Sequence, residues 1–225
     1  MQKKAIVVGA GIAGLACSLR LQKKGYEVTV VERNNYTGGK MHVLEGNGFR
    51  FDLGPSLFTM PGLVESLFEL SDKPIKDYFT YKKKEVICHY FWPDGSFFKA
   101  SAEPEEWIKE AADFFGEPSE ILRRYLNNSA RKYSLTAPIF LERSLADWKT
   151  YLSTNTLKAI FNLGALNIFN TLDKHHKGIF KNKKLIQYFN RFATYNGSSP
   201  YKTSAIMSMI PHLEMHKGTY FPTEG

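Results

Sequence analysis

The stretch that decides the fold runs from Lys4 to Arg33 and reads KAIVVGAGIAGLACSLRLQKKGYEVTVVER. The short apolar run at residues 5–8 is typical of a strand buried on both faces. Apolar residues then recur at helical spacing up to Gly25, where the helix is predicted to stop. A second buried strand, residues 28–31, ends on Glu32. This order of strand, glycines, helix, strand and acid predicts the β-α-β unit of a dinucleotide-binding domain.

The glycines have the spacing that such a unit needs. Gly9 permits a tight turn, Gly11 lets the backbone approach a pyrophosphate, and Gly14 lets the helix pack closely on the strand. Ile12 and Ala13 lie between them, at the positive end of the helix, where free amides are expected to receive the diphosphate. A secretory signal would also place basic residues before an apolar run, but glycines at this spacing and a matching second strand disfavour it.

The residues after the second strand indicate which dinucleotide is bound. Glu32 is expected to accept hydrogen bonds from the adenosine ribose hydroxyls, with Arg33 beside it. A second glycine pair, Gly38 and Gly39, follows directly and precedes Lys40. A nicotinamide dehydrogenase has no need of this pair, whereas a flavoprotein must close more backbone over the ribityl chain and pyrophosphate. The pair therefore favours FAD.

Four motifs together resemble the phytoene desaturase family, the bacterial carotenoid desaturases within the wider flavin amine oxidase-like group. They are GAGIAGL at 9–15, VER at 31–33, YTGGK at 36–40 and FRFDLGPSLFTMP at 49–61, and WPDG at 92–95 extends the match. The resemblance places Gly54, Pro55 and Ser56 at the flavin. Lys40 stands where many relatives have arginine, which keeps the charge but loses the planar fork.

The resemblance implies the fold class, cofactor and activity. The fold is expected to be α/β, a Rossmann-like FAD-binding domain with an inserted α+β region that meets substrate and membrane. Residues 1–70 would belong to the FAD-binding part and 71–225 to the substrate-binding, membrane-associating part, both incomplete. The implied reaction introduces double bonds into a carotenoid by hydride transfer to flavin, as in a phytoene desaturase or a hydroxycarotenoid 3,4-desaturase. No catalytic residue is assigned and no metal ligands are predicted.

Two other functions stay open at this point. An amine or protoporphyrinogen oxidase on the same fold would have a polar or carboxylate-binding pocket in place of an apolar tunnel. A non-catalytic N-terminal fragment or subunit is the other, because only two clear parallel strands can be identified and the resemblance covers the front half of the family. On that basis the chain alone is expected to lack desaturase activity.

Composition bears on partners and location. The chain has 225 residues and a formal net charge of +8. No recognised nucleic-acid motif accompanies this charge, so an anionic membrane surface is preferred over nucleic acid. Two cysteines suggest no disulfide framework, and no apolar run reaches the length of a membrane span. We therefore expect a cytoplasmic protein that is peripheral on the inner face of the membrane, with a carotenoid as substrate.

The basic, aromatic segment 173–191 is the predicted membrane contact. It holds five lysines and one arginine against a single acid, and large apolar side chains are interleaved with them. Apolar groups inserted in a bilayer with cations at the headgroups would show this pattern. The basic face of an ordinary solvated helix would show it equally well.

Periodicity and turn signals predict the remaining elements. They are a helix at 61–70, a hairpin over 85–99 with its turn at Pro93-Asp94-Gly95, and helices at 104–116, 119–133 and 157–169. In the helix at 119–133, Ile121, Leu122, Tyr125, Leu126 and Tyr133 are assigned to the inner face. Arg123, Arg124, Arg131 and Lys132 are assigned to the outer face.

Overall fold

A computed structural model describes residues 2–55 and 57–223 of the chain. The strands are β1 (Lys4–Val8), β2 (Glu27–Val31), β3 (Val43–Gly46), β4 (Phe49–Asp52), β5 (Tyr81–Lys83), β6 (Val86–Phe91), β7 (Phe97–Ser101) and β8 (Tyr220–Pro222). The α-helices are α1 (Ile12–Lys23), α2 (Gly62–Leu70), α3 (Pro104–Phe115), α4 (Ser119–Phe140), α5 (Thr154–Phe161), α6 (Leu163–Leu166), α7 (Leu172–Lys177), α8 (Lys183–Asn190) and α9 (Ile210–His212). Short 3₁₀ segments are Ile75–Asp77, Trp148–Thr150, Arg191–Asn196 and Ala205–Met209, and Leu213–Lys217 is a π-helical turn.

The chain forms two compact units. The first unit takes the chain up to Lys84 and the residues from Thr219 on, and the second unit is Glu85–Gly218. The first unit therefore contains the predicted dinucleotide motif, and the second contains most of the helices.

The first unit opens with the predicted β-α-β arrangement. Strands β1 and β2 pair in parallel, with Lys4 opposite Glu27 and Val8 opposite Val31. Helix α1 connects them, as the sequence predicts. The prediction that these strands are buried on both faces is wrong for the described residues, since Ile6 and Val8 are 71% and 85% exposed. The reason is that β1 and β2 form a two-stranded sheet, whereas a parallel strand is normally covered by further strands and by helices on both faces.

Two antiparallel strand pairs complete the first unit. Strands β3 and β4 form a hairpin, and β5 pairs with β8. Phe58 extends the second pair, because its amide donates to the Tyr220 carbonyl at 3.1 Å and its carbonyl accepts from the Tyr220 amide at 2.8 Å. The rings of Phe58, Phe79 and Tyr81 pack around this contact at centroid distances of 5.5–5.7 Å.

The second unit packs a β-hairpin against helices. The predicted hairpin is confirmed as β6 and β7, and the predicted helix at 104–116 is confirmed as α3, which ends at Gly116 in the left-handed conformation (φ 67°). Its core is built from large apolar side chains that include Phe98, Trp107, Leu122, Tyr125, Leu126, Phe180, Leu185, Tyr188, Phe189 and Phe192.

Helix α4 departs from its prediction in length and in one face. It runs to Phe140, past Tyr133, because Thr136, Ala137 and Ile139 continue the buried stripe. Lys132, predicted to lie outside, is buried. The chain 205–208 packs over it, and a single amphipathic pattern cannot show that contact.

The helix predicted at 157–169 is also interrupted. Helix α5 ends at Phe161, α6 covers only Leu163–Leu166, and Asn167 adopts a left-handed conformation (φ 53°). Asparagine enters this region more readily than most residues. The Asn162 side-chain amide also donates to the Lys158 carbonyl at 2.8 Å, which satisfies a carbonyl at the end of α5.

The apolar side chains of the basic, aromatic segment 173–191 do not have the role that the sequence predicts for them, which is insertion into a membrane. It forms α7 and α8, and Phe180, Leu185, Ile186, Tyr188 and Phe189 are all buried in the core of the second unit. The prediction that these side chains insert into a bilayer is therefore wrong. The same spacing of apolar groups serves a protein core, with the lysines left at the surface.

Candidate functional site

The glycine loop between β1 and α1 has the tight geometry predicted for it. Gly9 adopts a φ of +98°, and its amide donates to the Val31 carbonyl at 2.7 Å, which fixes the loop to the end of β2. A Cβ placed on Gly14 would lie 2.0 Å from the Gly9 carbonyl oxygen. The helix can therefore pack against the loop only because residue 14 has no side chain.

The start of α1 presents backbone donors. The Leu15 amide donates to the Gly11 carbonyl at 2.9 Å and forms the first bond of the helix. The amides of Ile12, Ala13 and Gly14 precede that bond, so they are the donors that a helix leaves unsatisfied at its N-terminus. Together with the helix dipole they favour an anionic group such as a diphosphate.

Glu32 lies at the end of β2, and its carboxylate is held beside the glycine loop. Oε2 accepts from the Ala10 amide at 2.7 Å, and Oε1 accepts from the Asn34 amide and side-chain amide, both at 2.9 Å. The backbone amides of Asn34 and Ala10 hold the pKa of Glu32 below its usual range. A carboxylate can accept about four hydrogen bonds, so this ionised group keeps acceptor capacity for a hydroxyl.

The second glycine pair lies directly against the glycine loop. The Gly38 amide donates to the Ala10 carbonyl at 2.8 Å, and Gly38 forms an isolated parallel bridge with Gly11. A Cβ on Gly39, whose φ is +62°, would lie 3.1 Å from the Gly11 Cα. The structure thus brings together two glycine motifs that are separated by more than twenty residues in the sequence.

A cleft of about 460 Å³ adjoins the second glycine pair. It is lined by Tyr36, Gly39, Lys40, His42, Leu53, Gly54 and Pro55. Gly54 lies so close to the chain that a Cβ would be 2.0 Å from the Lys40 carbonyl oxygen. Ser56, the third predicted residue of this group, lies outside the described residues, and Arg33 is exposed at the end of β2.

Three residues of this region were missed by the sequence-based prediction. Asn34 donates to Glu32 through both its backbone amide and its side-chain amide, and the rings of Tyr36 and His42 stack with centroids 3.9 Å apart beside the cleft. Tyr36 belongs to the YTGGK motif, so its position in the sequence could have indicated it. His42 and Asn34 carry no such signal, because their roles depend on how the loop folds back.

A comparison of the sequence with known families decides the class of protein. The family model that matches residues 12–225 is described as flavin containing amine oxidoreductase. The chain belongs to this family. The flavin prediction and the mixed α/β fold class are thereby confirmed.

Several curated relatives match the chain over almost its whole length. The chain is 55% identical over 223 residues to a 1-hydroxycarotenoid 3,4-desaturase of Flavobacterium sp. (strain P99-3), covering 99% of this chain and 45% of the relative. It is 32% identical to a 4,4'-diaponeurosporene oxygenase of Staphylococcus aureus (strain USA300), and the match covers 100% of this chain and 45% of the relative. The chain spans about half the length of the curated relatives it matches. The resemblance to carotenoid desaturases predicted from the motifs is confirmed.

Solved structures support the fold alone. Cyclohexylamine oxidase from Brevibacterium oxydans IH-35A superposes with a TM-score of 0.59 at 19% identity, covering 98% of this chain and 46% of that one. A putrescine oxidase superposes with a TM-score of 0.59 at 15% identity, and the match covers 100% of this chain and 46% of the oxidase chain. The architecture of the chain is therefore that of flavin amine oxidase-type proteins.

The residues of the first unit fit the adenosine diphosphate end of a flavin. A diphosphate needs donors, which the start of α1 supplies, and a ribose diol needs an acceptor, which Glu32 supplies. The close approach of Gly39 to Gly11 keeps side chains out of the space beside those donors. When bound, the flavin supplies the capacity to accept a hydride.

Glu32→Gln is expected to weaken flavin binding about ten- to a hundredfold, because a hydrogen bond to a charged acceptor is lost and one amide nitrogen now faces a backbone donor. Titration of the purified protein with FAD, followed by quenching of flavin fluorescence, measures the change. Glu27→Gln is the matched control at the start of β2, since the Glu27 side chain forms an exposed ion pair with Lys4 at 3.6 Å. Equal affinities for the two variants would contradict the assigned role of Glu32.

Proposed function

We propose that this flavin amine oxidoreductase is a carotenoid desaturase that acts on a 1-hydroxycarotenoid and introduces the 3,4 double bond. The observation that carries the proposal is the 55% identity, across 99% of the chain, to a protein with that activity in its name. The lower identity to diaponeurosporene oxygenases makes oxygen insertion the weaker candidate.

The reaction removes two hydrogens from adjacent carbons. The C3–H and C4–H bonds break, one hydrogen is lost with its electron pair and the other as a proton, and the remaining electron pair forms the double bond. A flavin held by the glycine loop and Glu32 would supply the hydride acceptor. The protein binds and orients the reactants and keeps water away from the polyene.

The flavin-binding residues in this proposal come from three short stretches of the first unit. Gly9, Gly11, Ile12, Ala13 and Gly14 receive the diphosphate, and Glu32 with Arg33 receives the ribose. Gly38, Gly39, Lys40, Gly54 and Pro55 lie along the rest of the cofactor, and Ser56 is assigned to the same group from its sequence motif alone. The second unit, with the larger share of apolar helices, holds the polyene.

Product analysis tests this function. The complete gene product is supplied with FAD and a 1-hydroxycarotenoid in lipid vesicles, and the pigment is examined by mass spectrometry and absorption. Loss of two hydrogens with a shift to longer wavelength is expected, and the analogue without the 1-hydroxyl should react poorly. Addition of oxygen to the pigment would favour the oxygenase activity, and oxidation of amines alone would overturn the proposal.

Membrane association belongs to the same proposal, with a different contact from the one that the sequence predicts. Eleven large apolar side chains between residues 140 and 169 are exposed, and this set is called the apolar surface segment: Phe140, Leu141, Leu145, Trp148, Tyr151, Leu152, Leu157, Ile160, Phe161, Leu163 and Phe169. Arg143, Lys149 and Lys158 lie among them, together with the acidic Glu142 and Asp147, so basic residues are in slight excess. A peripheral protein with apolar groups inserted and cations at anionic headgroups has this composition.

Contact between the apolar surface segment and a bilayer would serve uptake of a lipid-soluble substrate. A polyene partitions into the bilayer, so an enzyme that lies on the cytoplasmic leaflet can take up its substrate without passage through water. In the described part of the chain, no helix combines the length and apolar character needed to cross a bilayer.

Replacing Phe161 and Phe169 by Ser is expected to reduce binding to anionic vesicles at least tenfold. These side chains are 87% and 93% exposed, and burying a phenylalanine contributes about 1.5–3 kcal/mol. Liposome flotation measures binding, and Phe91→Ser is the matched control, since Phe91 is exposed on the hairpin outside the segment. Lys181→Gln with Lys183→Gln and Lys184→Gln should cause only a salt-dependent decrease. Unchanged flotation of the double phenylalanine variant would show that protein, not lipid, covers the segment.

A further inference from the structure

A buried lysine lies in the second unit without a counter-ion in the described part of the chain. Lys132 on α4 is 3% exposed. Its ammonium group donates to Ser208 Oγ at 2.7 Å and to the Ala205 carbonyl at 3.4 Å, and it lies 3.5 Å from Nε2 of His175. Burial holds the pKa of His175 down at about 4, so that imidazole is neutral at pH 7. All these partners are uncharged.

Lys132 lines a cavity of about 140 Å³. Tyr125, Ser129, His175 and Ser208 are among the side chains that line it, and the lining residues that the structure describes include no Asp or Glu. Ser129 is 1% exposed, and its Oγ accepts from the His212 amide at 3.1 Å, which leaves the hydroxyl proton free to donate. A polar cavity of this size has room for ordered water or a small ligand.

Charge and donor geometry together select the class of ligand. A buried ammonium group without an anion is costly, and burial lowers the pKa of Lys132 to about 8. A negatively charged oxygen in the cavity would accept a charge-assisted hydrogen bond from the ammonium group and a second bond from the Ser129 hydroxyl. A cation would meet repulsion from Lys132, and a neutral molecule would leave the charge uncompensated.

We propose that this cavity binds a small oxyanion, such as a simple carboxylate, through the Lys132 ammonium group and the Ser129 hydroxyl. The site is independent of the flavin and of the proposed desaturation, so its presence or absence leaves that function untouched. An oxyanion bound there would stabilise the packing of α4 against the chain at 205–208.

Binding should follow the charge of Lys132. The other titratable groups around the site are Tyr125 on α4 and His175 on α7, which line the cavity, His176 on α7, which contacts Tyr125, and His212 on α9, whose backbone amide donates to Ser129. Burial holds the pKa of the three histidines at about 4, 3 and 4, respectively, and raises the pKa of Tyr125 well above its usual value. Between pH 6.5 and 9.5 Lys132 is thus the member of this group that changes charge, and an oxyanion prefers its protonated form. Affinity should be highest at pH 6.5 and fall as the pH rises through about 8.

A thermal unfolding experiment on the complete chain tests the site. At pH 6.5 and constant ionic strength, replacing chloride by acetate is expected to raise Tm in proportion to the logarithm of the acetate concentration. Lys132→Met should abolish this rise, whereas Lys109→Met, at an exposed position on α3, should retain it. An equal rise in both variants would overturn the proposal, and so would the absence of a rise in the wild-type protein.

Two further measurements apply if Lys132→Met does not fold. In the wild-type protein the acetate-dependent rise in Tm should disappear between pH 6.5 and 9.5. Ser129→Ala keeps the ammonium group and should weaken the acetate effect several-fold. An acetate effect that persists unchanged at pH 9.5, or in Ser129→Ala, would place the anion elsewhere.

Discussion

Gly14→Ala is expected to abolish flavin binding and to destabilise the first unit. The added Cβ would lie 2.0 Å from the Gly9 carbonyl oxygen and 3.2 Å from the Gly9 carbonyl carbon. These are backbone atoms, fixed by the 2.7 Å hydrogen bond from the Gly9 amide to Val31, so the loop must move by about an ångström. Overpacking costs about 1–3 kcal/mol when side chains can adjust, and a backbone contact belongs at the upper end of that range.

Gly11 provides the contrast that separates loop geometry from ligand contact. A Cβ on Gly11 would meet its nearest neighbour, the Gly39 Cα, at 4.0 Å, which is an ordinary contact. Gly11→Ala should therefore leave Tm of the flavin-free protein unchanged and weaken FAD binding, and Gly11→Val should weaken it further. The visible flavin absorbance of the purified protein, divided by the protein concentration, measures how much flavin is bound. A Gly14→Ala protein that keeps its full yellow colour and Tm would refute the loop geometry.

Arg191→Met is expected to lower the free energy of unfolding of the second unit by about 3 kcal/mol, toward the lower end of the range for breaking a buried ion pair. Nη2 of Arg191 lies 2.6 Å from Oε2 of Glu214, a carboxylate that is 0% exposed. Nε of Arg191 donates to the Tyr90 hydroxyl at 2.7 Å, and the Tyr195 hydroxyl donates to Oε1 of Glu214 at 2.6 Å. Removing the arginine leaves the buried Glu214 carboxylate with the Tyr195 hydroxyl as its one partner among these residues.

Urea denaturation followed by circular dichroism measures this loss. Arg123→Met is the control, since it breaks an ion pair of 2.6 Å to Glu105 in which the two side chains are 41% and 74% exposed, and such exposed pairs contribute about 0–1 kcal/mol. Replacing Glu214 by Gln in the Arg191→Met background should recover part of the loss, because the unpaired charge is then removed. A single Arg191→Met variant within 1 kcal/mol of the wild-type protein would mean that water compensates Glu214, contrary to its burial.

The sequence by itself determined the elements whose signals are local. The β1-α1-β2 arrangement follows from two apolar runs, three glycines at fixed spacing and a terminal acid. The hairpin of β6 and β7 follows from a Pro-Asp-Gly turn between two apolar, aromatic runs. The flavin follows from the second glycine pair, and Gly38 does lie against the glycine loop. These features could be predicted because turns, caps and close backbone approaches restrict which residues are allowed within a few positions.

The tertiary structure decided which faces are covered. Segment 173–191 has the same apolar spacing whether it packs on a bilayer or on a protein core, and only the position of α3 and α4 places Phe180, Leu185 and Phe189 inside. Residues 157–169 are predicted to form an ordinary helix, yet the large apolar side chains of Ile160, Phe161 and Phe169 remain exposed. Lys132 has the pattern of a solvated residue and is buried by the chain at 205–208, more than seventy residues away. Periodicity indicates whether a face is apolar or charged. Which part of the protein covers that face is determined by residues far away in the chain, so a local pattern cannot predict it.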